Sequence, residues 1–241
     1  MLFPGYGQSS ESLQYLHDFI PERELIIVDP ILFGDSNYTG SRKSISKAEL
    51  KAVLTALLEQ EKLETLKLCG YSLGTRYAMN FLSWYPNRVE SVFFLAPDGI
   101  VLNFWNRAMA YSSVGKFFYR QLVSKPSFFN AFMVSLQRVG LLRPSLARFA
   151  KLHTADSEKR EMVLRMWVLL KDVHPDLSSF SENLRQYGIP IDLVFGKYDR
   201  VITQNVKRKA LKSFEARSVE VVEAGHDLLK PSAVSLWIGK A

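Results

Sequence analysis

Six short apolar runs, each closed by turn residues, recur along the chain with helix-compatible stretches between them, and no other feature restricts the fold as much. They are Met1–Phe3, Glu24–Val28, Thr65–Cys69, Ser91–Leu95, Ile191–Phe195 and Val219–Val222. Among the intervening stretches, Ser46-Lys47-Ala48-Glu49 reads as a capping box. It opens a helix whose apolar positions are Leu50, Val53, Leu54, Leu57 and Leu58. Thr203–Phe214 and Asp227–Ile238 carry shorter helical patterns. Strands that alternate with helices are joined by crossovers, which build a parallel sheet covered on both faces. The expected fold class is therefore α/β, with a mostly parallel sheet of about six strands.

The alternation stops after Asp98 and resumes only near residue 185. Between them lie aromatics such as Phe104, Trp105, Tyr111, Phe117, Phe118, Tyr119, Phe128, Phe129, Phe132 and Phe149, punctuated by Gly115, Pro126, Gly140, Pro144 and Pro175. This pattern predicts a helical cap insert over residues 101–184, with residues 1–100 and 185–241 forming the core. An insert leaving the end of a parallel strand stands over the carboxyl edge of the sheet, where ligands bind in such folds. Charge follows the same division. Val101–Phe180 holds 12 Lys and Arg against 5 Asp and Glu, a local excess equal to the +7 of the whole chain. A neutral body with a basic insert points to a local role for the charge, not to nucleic-acid binding.

Chemistry is concentrated at three strand ends. Gly70-Tyr71-Ser72-Leu73-Gly74 follows one apolar run and precedes a helix-compatible stretch, the context a nucleophile elbow needs. A serine hydroxyl is a weak nucleophile at neutral pH and needs a base, itself oriented by an acid. The run Ile191–Phe195 leads into Gly196-Lys197-Tyr198-Asp199, and Val219–Val222 leads into Glu223-Ala224-Gly225-His226. Ser72, Asp199 and His226 thus fall past the carboxyl ends of three strands, in the chain order this chemistry uses on such sheets. Asp98 follows another strand and is the alternative acid; an Asx-turn is the structural alternative for Asp199. Asp29 suits a bond within its own loop, Asp227 a solvated helix start, and His17, His153 and His174 packing or surface positions. Cys69 reads as a small buried apolar residue.

In these motifs the sequence resembles the α/β-hydrolase superfamily, in its cap-bearing serine carboxylesterase-like branch, over nearly the whole chain. Phe3-Pro4-Gly5-Tyr6-Gly7 is similar to the oxyanion loop of that family, and Asp29 to Ser36 to the stretch that follows it. The resemblance implies an oxyanion hole made by the backbone N–H groups of Tyr6 and Leu73. Two departures stand out. Pro4-Gly5 occupies the place of the usual His-Gly, and the chain begins at the strand that is third in the family.

The expected activity is hydrolysis of an ester or thioester with an apolar acyl group through an acyl-enzyme. The alternatives are an esterase or thioesterase acting on a carrier-protein-bound acyl chain recruited by the basic cap, and a non-catalytic binding protein of the same fold. The substrate-binding residues are not legible, and the chemistry calls for no metal and no organic cofactor. The lone Cys69 excludes a disulfide framework or a cysteine-built metal site. The simpler reading of the insert is a cap whose aromatics line the pocket roof and whose charges face water. The sharper one is that Arg107, Lys116, Arg120, Arg138, Arg143 and Arg148 attract an anionic partner such as an acyl carrier protein, an anionic lipid surface or an acidic substrate. No apolar run is long enough for a membrane span, and the N-terminus lacks a basic signal-peptide region. The expected setting is cytoplasmic.

Overall fold

The computed structural model describes residues 1–101 and 157–240, together with 111–115, 117, 121, 131 and 134–140. The chain divides into two compact units: Met1–Gly40, Ser46–Val101 and Val173–Ala241 form the first, Ser41–Ile45 and Leu102–Asp172 the second.

The first unit is built on five parallel strands. They are β1 (Leu2–Phe3), β2 (Leu66–Tyr71), β3 (Val89–Leu95), β4 (Ile191–Gly196) and β5 (Ser218–Val222), adjacent in that order. All six residues of β4 are buried, as expected where helices cover both faces of a sheet. β5 lies at the edge and leaves Val219 and Val221 exposed. The run Glu24–Val28 contributes a single bridge, Leu2↔Ile27, with Leu2 N–H donating to Ile26 O and Val28 N–H to Leu2 O. Its neighbour β1 is two residues long and is followed by Pro4, which has no N–H to extend the ladder.

Helices α1 (Lys47–Gln60), α2 (Gly74–Trp84), α4 (Leu177–Gln186), α5 (Gln204–Ser213) and α6 (Pro231–Val234) belong to the same unit. The capping box of α1 forms as expected, with Glu49 N–H on Ser46 Oγ at 3.2 Å and Ser46 N–H on Glu49 Oε2 at 2.7 Å. Leu50, Leu54 and Leu58 are buried, whereas Val53 turns outward. Core aromatics fasten the helices to the sheet. Phe94 on β3 stacks on Phe180 of α4 at 5.7 Å, and Phe214 after α5 meets Phe180 edge-on at 5.1 Å. On the other side of the sequence, Phe3 stacks on Tyr77 of α2 at 5.9 Å.

The expected helix over Asp227–Ile238 is replaced by an irregular loop and the short α6. Pro231 explains the change. A residue before proline is biased to extended backbone, and Lys230 has φ −65° and ψ 146°. Proline itself fits the first helical position, where its missing N–H costs nothing.

In the second unit, α3 (Ser157–Leu169) buries Val163, Leu164, Met166 and Leu169. Ile45 N–H donates to Leu169 O, and Ser44 Oγ to Asp172 Oδ2. Tyr111 and Phe117 are exposed among the described residues, as is Arg138. The other aromatics named above between residues 101 and 156, with Arg107, Lys116, Arg120, Arg143, Arg148 and His153, lie outside the described residues. No helix among the described residues is long and apolar enough to cross a membrane.

Candidate active site

Ser72 links β2 to α2 and has φ 49°, in the left-handed region that a side chain adopts only under constraint. The surroundings supply that constraint. Ser72 N–H donates to Leu95 O at 2.9 Å, and its carbonyl accepts from Thr75 N–H and from Asp98 N–H. Both flanking glycines are sterically required. A Cβ on Gly70 would lie 2.9 Å from the Thr75 backbone, and one on Gly74 only 1.9 Å from Phe3 O. The turn therefore packs β1 against the start of α2 and leaves the serine side chain at the carboxyl edge of the sheet.

Ser72 Oγ lies 2.9 Å from His226 Nε2, and His226 Nδ1 lies 2.8 Å from Asp199 Oδ2. The Asp199 side chain is fully buried and that of His226 is 16% exposed. The two oxygens of Asp199 make separate contacts. Its Oδ1 accepts Val201 N–H at 2.7 Å and Ile202 N–H at 3.0 Å, the bonds of an Asx-turn, which turns Oδ2 toward the imidazole. The acid and base loops are joined by backbone. Lys197 N–H donates to Val222 O and Tyr198 N–H to Ala224 O, and a Cβ on Gly196 would sit 2.1 Å from Gly225 O. Outside, Glu223 receives Lys197 Nζ at 2.5 Å and Tyr198 Oη at 2.6 Å. That contact draws the Glu223 carboxyl below its ordinary range and raises both partners.

Asp98 points elsewhere: Arg76 on α2 holds it through Nε at 3.0 Å and a second nitrogen at 2.7 Å. Asp29 accepts Asp35 N–H within its own loop and Ser10 N–H from the segment after β1, and Gly34 is required because a Cβ there would collide with that carboxylate. Asp227 is exposed but begins no helix, His17 is exposed, and His174 is half-buried with its pKa lowered by desolvation. Burial pushes the Cys69 thiol up to about 12, so it is protonated at neutral pH. Among the described residues no cluster of His, Cys, Asp and Glu could hold a metal ion.

Leu73 is the N-cap of α2, so its N–H precedes the helix ladder and has no intrahelical acceptor. Tyr6 lies in a turn closed by Gln8 N–H on Gly5 O, with Gly7 at φ 76°, and its ring meets Phe33 edge-on at 5.0 Å. Gln8 Oε1 accepts Gly5 N–H at 3.0 Å. This glutamine bond ties together the loop after β1.

Sequence reasoning passed over Tyr71, Thr75 and Arg76. Tyr71 is the first variable residue of the elbow motif, yet its hydroxyl donates to His226 O at 3.0 Å. Thr75 is fully buried, and its hydroxyl touches Ser72 O and Asp98 O at 2.6 Å each. Only the spacing from Ser72, three and four residues along α2, hinted at Thr75 and Arg76.

Solved structures with the same fold include a probable hydrolytic enzyme of Pseudomonas aeruginosa PAO1. It is 20% identical, with a TM-score of 0.61, over 100% of this chain and 84% of the other. A carboxylesterase of the thaumarchaeon Nitrososphaera gargenis is 16% identical, with a TM-score of 0.60, over 99% and 87%. A curated relative from Bacillus subtilis (strain 168), named "Putative 2-succinyl-6-hydroxy-2,4-cyclohexadiene-1-carboxylate synthase", is 32% identical over 88 residues. That match spans 36% of this chain and 32% of the relative. The profile of the alpha/beta hydrolase fold matches residues 1–232, nearly the span over which strand ends and elbow were read, and the chain belongs to that family of hydrolases.

Proposed function

We propose that the protein is a serine hydrolase that cleaves a carboxylic ester or thioester with an apolar acyl group, using Ser72, His226 and Asp199. One observation carries this reading: the unbroken Ser72–His226–Asp199 chain of contacts at 2.9 Å and 2.8 Å, with the serine at φ 49°. With its Nδ1 proton donated to Asp199, the imidazole presents the Nε2 lone pair to the Ser72 hydroxyl. Ser72 Oγ attacks the acyl carbon as Nε2 takes its proton, and the same proton leaves with the alcohol or thiol. Water, deprotonated by His226, then attacks the acyl-enzyme and frees the acid and Ser72. Asp199 holds the tautomer and stabilises the imidazolium. The oxyanion is received by the N–H groups of Tyr6 and Leu73, each worth about 3 kcal/mol where such donors have been removed.

The basic residues of 101–184 are read as favouring an anionic partner such as an acyl carrier protein. The carboxyl product named for the Bacillus subtilis relative favours a second reading. In it the same three residues act on a related carboxylate substrate. Hydrolysis of p-nitrophenyl esters from acetate to decanoate, beside Ser72→Ala, tests the choice. Serine-dependent turnover with a chain-length optimum is expected. A folded protein inert on every ester would overturn the ester reading and leave the second.

A further inference from the structure

Residues 223–230 form neither helix nor strand, and they carry His226. Three of their carbonyls are taken by aromatic side chains from separate parts of the fold. Tyr71, at the end of β2, donates its hydroxyl to His226 O at 3.0 Å. Trp237, after α6, donates Nε1–H to Leu228 O at 2.8 Å. Tyr15, in the 3-10 helix Glu11–Phe19, donates its hydroxyl to Leu229 O. Where a helix would have fixed the loop by its own ladder, Pro231 forbids one, and the obligatory carbonyl bonds pass to side chains.

We infer that Tyr15 and Trp237, with Tyr71, are positioning residues that hold the His226 loop in register with Ser72 and Asp199. The inference rests on the reading of His226 as the base. None of the three needs to meet the substrate, since each acts through a loop carbonyl. The anchors also persist with pH. Burial, with the Asp227 charge, raises the phenols of Tyr15 and Tyr71 above their ordinary value, so both stay protonated donors through the neutral range. Trp237 is 4% exposed, and its ring lies 5.5 Å from that of Phe93, which fixes the donor against the sheet.

Phosphonylation of Ser72 by a fluorophosphonate tests this without knowledge of the substrate. Tyr15→Phe and Trp237→Phe remove a donor each and keep an aromatic ring. Tyr15→Phe is expected to slow labelling about three- to tenfold, the loss of one net hydrogen bond at the base. The slowing should persist well below the melting transition, where a merely structural loss leaves the labelling of the folded chain unchanged. The double variant should lose more than the product of the singles, since each anchor restrains the same loop. Tyr15→Phe deletes only a hydroxyl and carries the test alone if Trp237→Phe does not fold. A wild-type labelling rate in Tyr15→Phe, with only a lower melting temperature, would overturn the inference. If His226→Ala is labelled as fast as wild type, the base reading fails instead, and the anchoring role fails with it.

Discussion

Ser72 sits between a six-residue strand and an eleven-residue helix, whereas His226 sits in residues 223–230, outside any regular element. The serine is fixed by backbone: a strand, a helix start, and two glycines that admit no Cβ. The histidine is fixed by side chains, with phenol and indole donors on its carbonyls and a carboxylate on its ring. One half of the site is set by backbone contacts with neighbouring strands and the other by side chains of separate elements. Errors should therefore be tolerated differently in the two halves.

The largest expected effect is at the serine. Ser72→Ala should lower kcat by about 10⁴-fold or more, read by ester hydrolysis, with the melting temperature near that of wild type. Asp199→Asn comes next, at about 10⁴-fold in kcat, because the amide favours the wrong imidazole tautomer. Asp98→Asn instead should stay within about threefold, since a partly exposed pair with Arg76 contributes about 1 kcal/mol or less. A reversal of these two would move the acid to Asp98.

Two glycines sharpen the contrast by stability. Gly74→Ala should cost about 2–3 kcal/mol in denaturant unfolding, because a methyl would meet Phe3 O at 1.9 Å. At Gly225, in the histidine loop, a Cβ would meet nothing within 4 Å. Gly225→Ala should change stability by no more than about 0.5 kcal/mol. The smallest effect expected is at Cys69, whose thiol at about 12 should resist iodoacetamide in the folded protein at neutral pH and react once unfolded.

The same contrast explains what could be read from residues alone. β4 was legible because burial on both faces leaves a continuous apolar run, β2 and β3 because most of their positions are apolar and bounded by turn residues, and the elbow because it needs its glycines by steric rule. Ser72, Asp199 and His226 were found from strand ends, and the structure brings all three together. Glu24–Val28 looked like a full strand, but strand length is set by the partner, and β1 offers two residues. The Asp227–Ile238 pattern matches helical spacing, yet Pro231 holds Lys230 extended and overrides it. Tyr15, Tyr71 and Trp237 left no mark in the sequence, since bonds to carbonyls across as many as 214 residues obey no periodicity.

Peptide mapping of the fluorophosphonate adduct tests the central claim most directly. A single adduct on the Ser72 peptide is predicted in the wild-type chain, lost in Ser72→Ala and strongly slowed in His226→Ala. An adduct on another residue, or none in the folded protein, would contradict an activated serine at the end of β2.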